Sequence, residues 1–311
     1  REIRRLLPYD GRNTGRSVLT FMTKQDFHKP TTVEDAVTLL KEAGEDARPI
    51  SGGATLVALM NARLVQPSRL VSLSAIEELT QCTHQPDGSV RIGAMRRHRQ
   101  TAFESDLKAA HQVVSGAASQ IANPPVRNMG TIGGSISFAD PAADYPPSLV
   151  AANAEIEIAG PEGRRCIPAE DFFLGWYETA LEPGEIVTAV ILPPVPASSI
   201  GQYEKLCRIA GDFALASIAM TIDFDASNTV STLRLAVGGC GGGPVRVEAA
   251  EDALIGTKLE TDAIAAAAEL LVAELDPVDD VRGSAEYRLK VVPRLLQRAF
   301  NNLINIREPA Q

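Results

Sequence analysis

Apolar residues recur at helical spacing between Thr32 and Ala43, with Val33, Ala36, Val37, Leu39 and Leu40 on one face. Thr31 or Thr32 is placed to cap that helix, and Glu34 sits in its first turn. Arg48-Pro49-Ile50 then leads into the turn Ser51-Gly52-Gly53-Ala54-Thr55, and residues 56–63 read as a short helix leaving it. Residues 69–73 read as a strand, so the first lobe is expected to be a small β-α-β-type unit.

A second lobe is expected from about Ile76. Residues 90–94 read as a strand after the Pro86-Asp87-Gly88 turn, and residues 111–121 as a helix that Pro124-Pro125 would break. Glu155-Ile156-Glu157-Ile158 alternates as a half-buried strand turned by Pro161-Glu162-Gly163, and residues 186–192 form another, stopped by Pro193-Pro194. The Pro- and Ser-rich stretch 193–199 is the best linker. Beyond it the pattern predicts strands over 214–224 and 230–237, then a glycine string over 238–243. That string lacks a following helix with a hydroxyl and reads as a tight inter-element loop. Helices are expected over 247–255, 261–273 and 284–305, and there is no internal repeat. The chain thus divides into residues 1–21, 22–197 (lobes 22–75 and 76–197) and 198–311.

A chain of 311 residues is long enough for two or three domains with a sizeable core. No apolar run approaches the ~20 residues that span a bilayer, and no apolar stretch precedes a small-residue cleavage site in the manner of a secretory signal. A cytoplasmic protein is therefore expected. The net charge of −9 argues against nucleic acid as a partner. Residues 1–21 run against that balance: Arg1, Arg4, Arg5, Arg12 and Arg16 face only Glu2 and Asp10. They read as an upstream extension, with an arm toward an acidic partner subunit as the alternative. Cys82, Cys166, Cys207 and Cys240 are scattered with no CxxC, which favours reduced thiols over an iron–sulfur or zinc site. His28, His84, His98 and His111 form no metal set by spacing, and no nucleophile–base pair is evident, so neither a metal nor a catalytic residue is assigned.

The chemistry concentrates in two glycine turns. The first is Ser51-Gly52-Gly53-Ala54-Thr55 before Leu56; the second is Gly130-Thr131-Ile132-Gly133-Gly134-Ser135, followed by Asp144. Paired glycines let backbone N–H groups approach an anion, and each turn has a hydroxyl beside them. Neither is a Walker loop, because no Lys-Ser or Lys-Thr follows, and neither is GxGxxG after a strand. Two such turns in one chain point to one ligand with two phosphates, held by backbone more than by charge. Taken singly, each is also what an ordinary tight turn looks like.

The segments RPISGGATLVALMNARL and NPPVRNMGTIGGSISFADPAADYPPSL together resemble the FAD-binding medium subunit of the molybdenum hydroxylases, the xanthine dehydrogenase family. The likeness continues through EPGEIVTAVILP, YEKLCRIAGDFALAS and GSAEYRLKVVPRLLQRA, and is strongest to the flavoprotein of aerobic carbon monoxide dehydrogenases. It implies an α+β fold: a PCMH/VAO-type two-lobed FAD-binding domain over 22–197, then over 198–311 a C-terminal antiparallel three-stranded sheet with helices. It implies FAD, bound non-covalently because no His or Cys matches an attachment motif. The molybdopterin cofactor and [2Fe–2S] clusters are then expected only in a large and a small partner subunit, in a dimer of heterotrimers. The chain would be the electron-transfer subunit, passing electrons to a quinone, NAD or oxygen, and a quinone acceptor would bring the complex to the inner face of the membrane. The rivals are a self-contained flavin oxidase or reductase and a non-redox nucleotide-binding protein.

The same resemblance assigns site residues. Ile50, Ser51, Gly52, Gly53, Ala54, Thr55 and Leu56, with Gly130, Thr131, Gly133, Gly134 and Ser135, would hold the pyrophosphate. Arg48 stands where other members often carry Lys, and could equally be a solvated cation. Asp144 matches a carboxylate that binds FAD hydroxyls, though a helix cap would look the same. Ile121, Ala122 and Val126 would flank the isoalloxazine, with Ile186 and Val187 near the ring; core packing would also explain these apolar residues. Lys205 matches a lysine near the pyrimidine end, where a cation stabilises reduced flavin, with a plain surface lysine as the alternative. Phe213 stands where relatives usually have Tyr beside the ring, and Ser135 where they often have Asn.

Overall fold

In the computed structural model, residues 25–307 are described; the basic extension over residues 1–21 lies outside them. The first lobe is β1 (Asp26–His28), α1 (Val33–Ala43), β2 (Ala47–Ile50), α2 (Leu56–Asn61) and β3 (Arg69–Ser72). Its three strands form a parallel sheet in the order β1-β3-β2. Thr32 caps α1, its hydroxyl accepting from Asp35 N–H at 3.1 Å, and Val33, Ala36, Val37 and Leu40 are buried as the spacing predicts. The first glycine turn leaves the carboxyl end of β2. That is the edge of a parallel sheet at which α/β folds place ligands.

The second lobe comprises β4 (Cys82–His84), β5 (Val90–Gly93), α3 (His98–Ala102), α4 (Gln112–Gln120), α5 (Pro124–Met129), α6 (Ile132–Phe138), α7 (Tyr145–Ala151), β6 (Glu155–Gly160), β7 (Gly163–Pro168), α8 (Ala169–Phe172), a small hairpin β8 (Phe173–Gly175) and β9 (Glu178–Thr179), and β10 (Ile186–Leu192). Its sheet runs antiparallel in the order β4-β5-β10-β6-β7. Pro124-Pro125, expected to break a helix, instead begins one: both occupy the first turn of α5, where no intrahelical N–H is needed, and Asn123 caps it by accepting from Val126 N–H at 3.1 Å. Tyr145-Pro146-Pro147 starts α7 in the same way, and every residue of that helix is buried.

The last part holds β11 (Ile200–Leu206), β12 (Ala216–Phe224), β13 (Val230–Gly238), β14 (Val245–Arg246), α9 (Glu248–Asp252), α10 (Thr261–Ala273) and α11 (Ala285–Arg307). Three long antiparallel strands appear as expected, and the two-residue β14 adds an edge. Alternation along β12 and β13 divides their side chains between two cores. Ile218, Met220, Leu235 and Val237 pack with α10 and α11, whereas Ala219 and Ala236 join the second lobe's core with α4, α6 and α7. Small side chains on that face let α7 approach: a Cβ at Gly238 would come 2.8 Å from Pro147 Cγ. The core is therefore continuous from β10, through the helix layer, into the last sheet. Among the described residues no helix is long and apolar enough to cross a membrane.

Candidate functional site

The two glycine turns, from different lobes, meet edge to edge. A Cβ on Gly52 would run into the Met129 carbonyl oxygen and lie 3.0 Å from Gly130 Cα; one on Gly134 would lie 3.6 Å from Ser51 Cβ. The first turn is open for binding. Gly53 takes φ +74°, which a side chain rarely adopts. Among the described residues, the N–H groups of Gly52, Gly53, Ala54, Thr55 and Leu56 make no hydrogen bond within the chain, while Val57 N–H closes onto Gly53 O at 3.0 Å to start α2. Each of these residues is at least partly exposed. Five successive unpaired donors at a helix start fit a pyrophosphate.

The second turn differs from the expected open nest. Ile132 N–H donates to Arg96 O at 3.0 Å, Gly133 N–H to Ala94 O at 2.9 Å, Gly134 N–H to the Thr131 hydroxyl at 3.1 Å, and Ser135 N–H to Thr131 O at 3.0 Å. The donors of Ile132, Gly133, Gly134 and Ser135 are thus already spent on the chain. Gly133 is glycine because a Cβ there would come 2.5 Å from Ala94 Cβ, not because a ligand needs the space. What this turn presents to the seam is the edge of Gly134 and, nearby, the partly exposed Ser135.

Asp144 and Lys205 come together, 2.9 Å apart, with side chains 6% and 1% exposed. The same carboxylate oxygen accepts from Tyr203 OH at 2.6 Å, and Lys205 Nζ also donates to Gln120 O at 2.8 Å. Tyr203 and Lys205, two apart on β11, share a face, so one strand supplies both partners. Burial pushes the Asp144 carboxyl up from its ordinary value, against the pull of Lys205 and Tyr203. Lys205 is thus no surface lysine, and Asp144 caps nothing: the N-cap of α7 shows no side-chain hydrogen bond. Arg48 turns away from the first turn, its guanidinium donating to Glu45 O at 2.7 Å and Ala47 O at 2.8 Å. Ile186 and Val187 are buried in the cores on β10. Val126 lies partly buried in α5. Ile121 and Ala122 form a tight bend, Ala122 at φ +43°, pinned by Arg127 Nη1 on both carbonyls at 2.7 and 2.6 Å. Phe213, 44% exposed, stands in the β11–β12 connection.

Three residues that the sequence did not single out support this arrangement. His98, buried, backs the second turn: its N–H donates to Gly130 O at 3.0 Å, and a Cβ on Gly130 would overlap its Nε2. Its Nδ1 lies 3.2 Å from the OH of the buried Tyr145. Burial, helped by Arg127, lowers the His98 pKa to about 4, so the ring is neutral. Tyr203 and Arg127 are the others. Arg127 lies within NPPVRNMG and Tyr203 opens YEKL, but nothing in those segments announces their partners; each acts through a contact distant along the chain or through backbone carbonyls.

A two-lobed fold whose glycine turns meet at an open row of backbone donors is suited to a ligand carrying phosphates. Residues 21–195 match the family described as FAD binding domain in molybdopterin dehydrogenase, and residues 201–303 the CO dehydrogenase flavoprotein C-terminal domain. The chain belongs to the FAD-binding flavoprotein subunits of the molybdenum hydroxylase family, which are oxidoreductases. It is 38% identical to the carbon monoxide dehydrogenase medium chain of Afipia carboxidovorans, over 88% of this chain and 94% of that one. It is also 38% identical to the nicotine 6-hydroxylase medium subunit of Paenarthrobacter nicotinovorans, over 88% and 95%. A crystal structure of the Cu,Mo-CO dehydrogenase superposes with a TM-score of 0.86 at 37% identity, covering 89% of this chain and 96% of that one. Quinoline 2-oxidoreductase from Pseudomonas putida 86 superposes with a TM-score of 0.83 at 30% identity, with the same coverage.

Proposed function

We propose that this chain binds FAD non-covalently across the seam of the two glycine turns and serves as the electron-transfer subunit of a cytoplasmic molybdenum hydroxylase. The observation that carries the reading is the row of five unpaired N–H groups from Gly52 to Leu56, set against Gly130 and Gly134 of the other lobe. These neutral donors bind the pyrophosphate without desolvating a lysine. Ser135, partly exposed beside Gly134, would complete the cradle, and Asp144, backed by Lys205, would supply the carboxylate on the ribityl side. A flavin held there would supply the conversion between one-electron and two-electron transfer. The electrons come from [2Fe–2S] clusters of a small partner subunit, and a large subunit carries the molybdenum cofactor. Quinone, NAD and oxygen are the acceptor classes. A self-contained oxidase fits less well, because Asp144, Lys205 and Tyr203 are buried and committed to one another rather than free to move a substrate proton.

The test is titration of the FAD-free chain with FAD, followed by flavin absorbance, with iron and molybdenum analysis of natively purified material. Flavin bound by the isolated chain, and iron and molybdenum in a larger species, is the expected result. A chain that takes up no flavin would overturn the reading; flavin with no partner under any purification would favour the free-standing enzyme.

A further inference from the structure

The β11–β12 connection, residues 207–215, is fastened from two sides. On one side a Cβ on Gly211 would come 2.6 Å from Ala122 O, and Ala214 N–H donates to Ala142 O at 3.3 Å. This side joins it to the bend that leads into the second glycine turn. On the other side the segment before α11 and the first turn of α11 hold it: Arg208 Nη1 donates to Val281 O at 3.2 Å, and the buried Arg288 donates from Nη1 to Leu215 O at 2.6 Å. Between these ties, the guanidinium carbon of Arg282 stands 5.0 Å from the centroid of the Phe213 ring. Arg282 is itself fixed by Asp280. Its Nη1 donates to Oδ2 at 2.9 Å and its N–H to Oδ1 at 2.8 Å, and Arg288 Nη2 reaches the same Oδ1 at 2.7 Å.

We propose that Arg282 is a positioning residue for Phe213, its guanidinium, locked on Asp280, holding the aromatic ring in place at the edge of the flavin site. The inference rests on the flavin reading above. An exposed phenylalanine has no hydroxyl to anchor it, and its rotamers interchange freely in water. A cation held over its face supplies the missing anchor through the ring quadrupole. The clamp also joins the C-terminal helix to the loop beside the cofactor, so a change at Asp280 or Arg288 reaches Phe213 without touching it.

The experiment uses the full chain with its single tryptophan, Trp176, replaced by Phe and with Phe213→Trp as a reporter. Acrylamide quenching of the FAD-free protein and an FAD titration are compared before and after adding Arg282→Gln or Arg282→Lys. The clamp predicts that Arg282→Gln raises both the freely quenched fraction and the FAD dissociation constant about two- to fivefold, at an unchanged thermal midpoint. Arg282→Lys, which keeps a cation, should restore most of both. Quenching unmoved by Arg282→Gln would overturn the clamp, whether or not the thermal midpoint falls. A reporter protein that is quenched as predicted but binds no FAD, when the unmutated chain binds none either, would uphold the clamp and count against the flavin reading alone.

Discussion

Gly52 rests on the carbonyl of Met129, and there is no room between them for a methyl group. This contact joins the first lobe to the second at the seam proposed for the cofactor. The two glycines of the first turn therefore have separate duties. Gly53 takes the left-handed φ of +74° that shapes the turn, and Gly52 permits the other lobe's backbone to close against it.

Gly52→Ala is expected to push the lobes apart. Overpacking against backbone costs about 1–3 kcal/mol, and here the displaced element is half of the proposed binding seam. FAD affinity should fall about tenfold or more, with a lower thermal midpoint. Gly134→Ala is the milder case: its Cβ would sit 3.6 Å from Ser51 Cβ and 3.0 Å from the Thr131 hydroxyl, contacts with side chains rather than with backbone. Gly133→Val should damage folding more than binding, because the side chain would enter Ala94 rather than the phosphate space. Parallel flavin titrations and melting curves check the order; equal flavin affinity in Gly52→Ala and the parent would sink it.

Thr131→Val removes the hydroxyl that accepts from Gly134 N–H and caps α6. Loss of such a cap costs about 0.5–2 kcal/mol. The variant keeps the volume of threonine, so urea denaturation reads the cap directly. Ser135→Ala, whose hydroxyl makes no bond within the described residues, should leave stability unchanged and weaken only flavin binding. If both variants lose the same stability, the division of labour drawn here is wrong.

Helix α1 and its Thr32 cap, and the long strands β10, β12 and β13, were legible because spacing and capping are local signals. Helices α5 and α7 were not. Pro124-Pro125 read as a breaker, although Asn123 before it carried a readable capping signal, and no element was assigned around Pro146-Pro147. The polar edge strand β7, with its largely exposed side chains, shows no apolar alternation and drew no assignment beyond the turn at Pro161-Glu162-Gly163. In the site, the glycine turns were visible as motifs, and Asp144, Lys205 and Phe213 were singled out only through the resemblance. That the second turn's N–H groups are consumed by Ala94 and Arg96 was not, because this depends on a pairing between segments far apart in sequence. The Asp144–Lys205 pair is the same kind of fact, since nothing local to either residue announces the other.

Stability should depend on His98 in mildly acid solution. Its pKa is lowered to about 4 in the fold, from 6.5 in the unfolded chain. The unfolded state therefore takes up the proton first, so stability is complete above pH 6.5 and declines as pH falls toward 4. Between pH 6.5 and 5.5 the decline amounts to about 1 kcal/mol, above the range in which most carboxylates titrate. His98→Gln, able to keep a bond to Tyr145, should flatten that slope. Urea denaturation at several pH values decides, and identical slopes in the two proteins would contradict a buried neutral histidine.

The Asp144–Lys205 pair yields the most discriminating measurement. Lys205→Met leaves a buried carboxylate without its cation, and burial already drives that carboxyl upward. Breaking a buried pair from one side costs about 3–5 kcal/mol. Asp144→Asn keeps an acceptor for Tyr203 OH, and Lys205 keeps Gln120 O, so its loss should be smaller. The double variant has no charge left to strand and should be more stable than Lys205→Met alone, although it carries one more change. A double-mutant cycle in urea reads this as a coupling of about 1 kcal/mol or more; additive losses would show that the two groups do not pair in solution. The same four proteins, titrated with FAD, separate structure from ligand contact. If Asp144 binds the cofactor as well as Lys205, Asp144→Asn should lose flavin affinity beyond what its stability loss explains, and the double variant should not recover it.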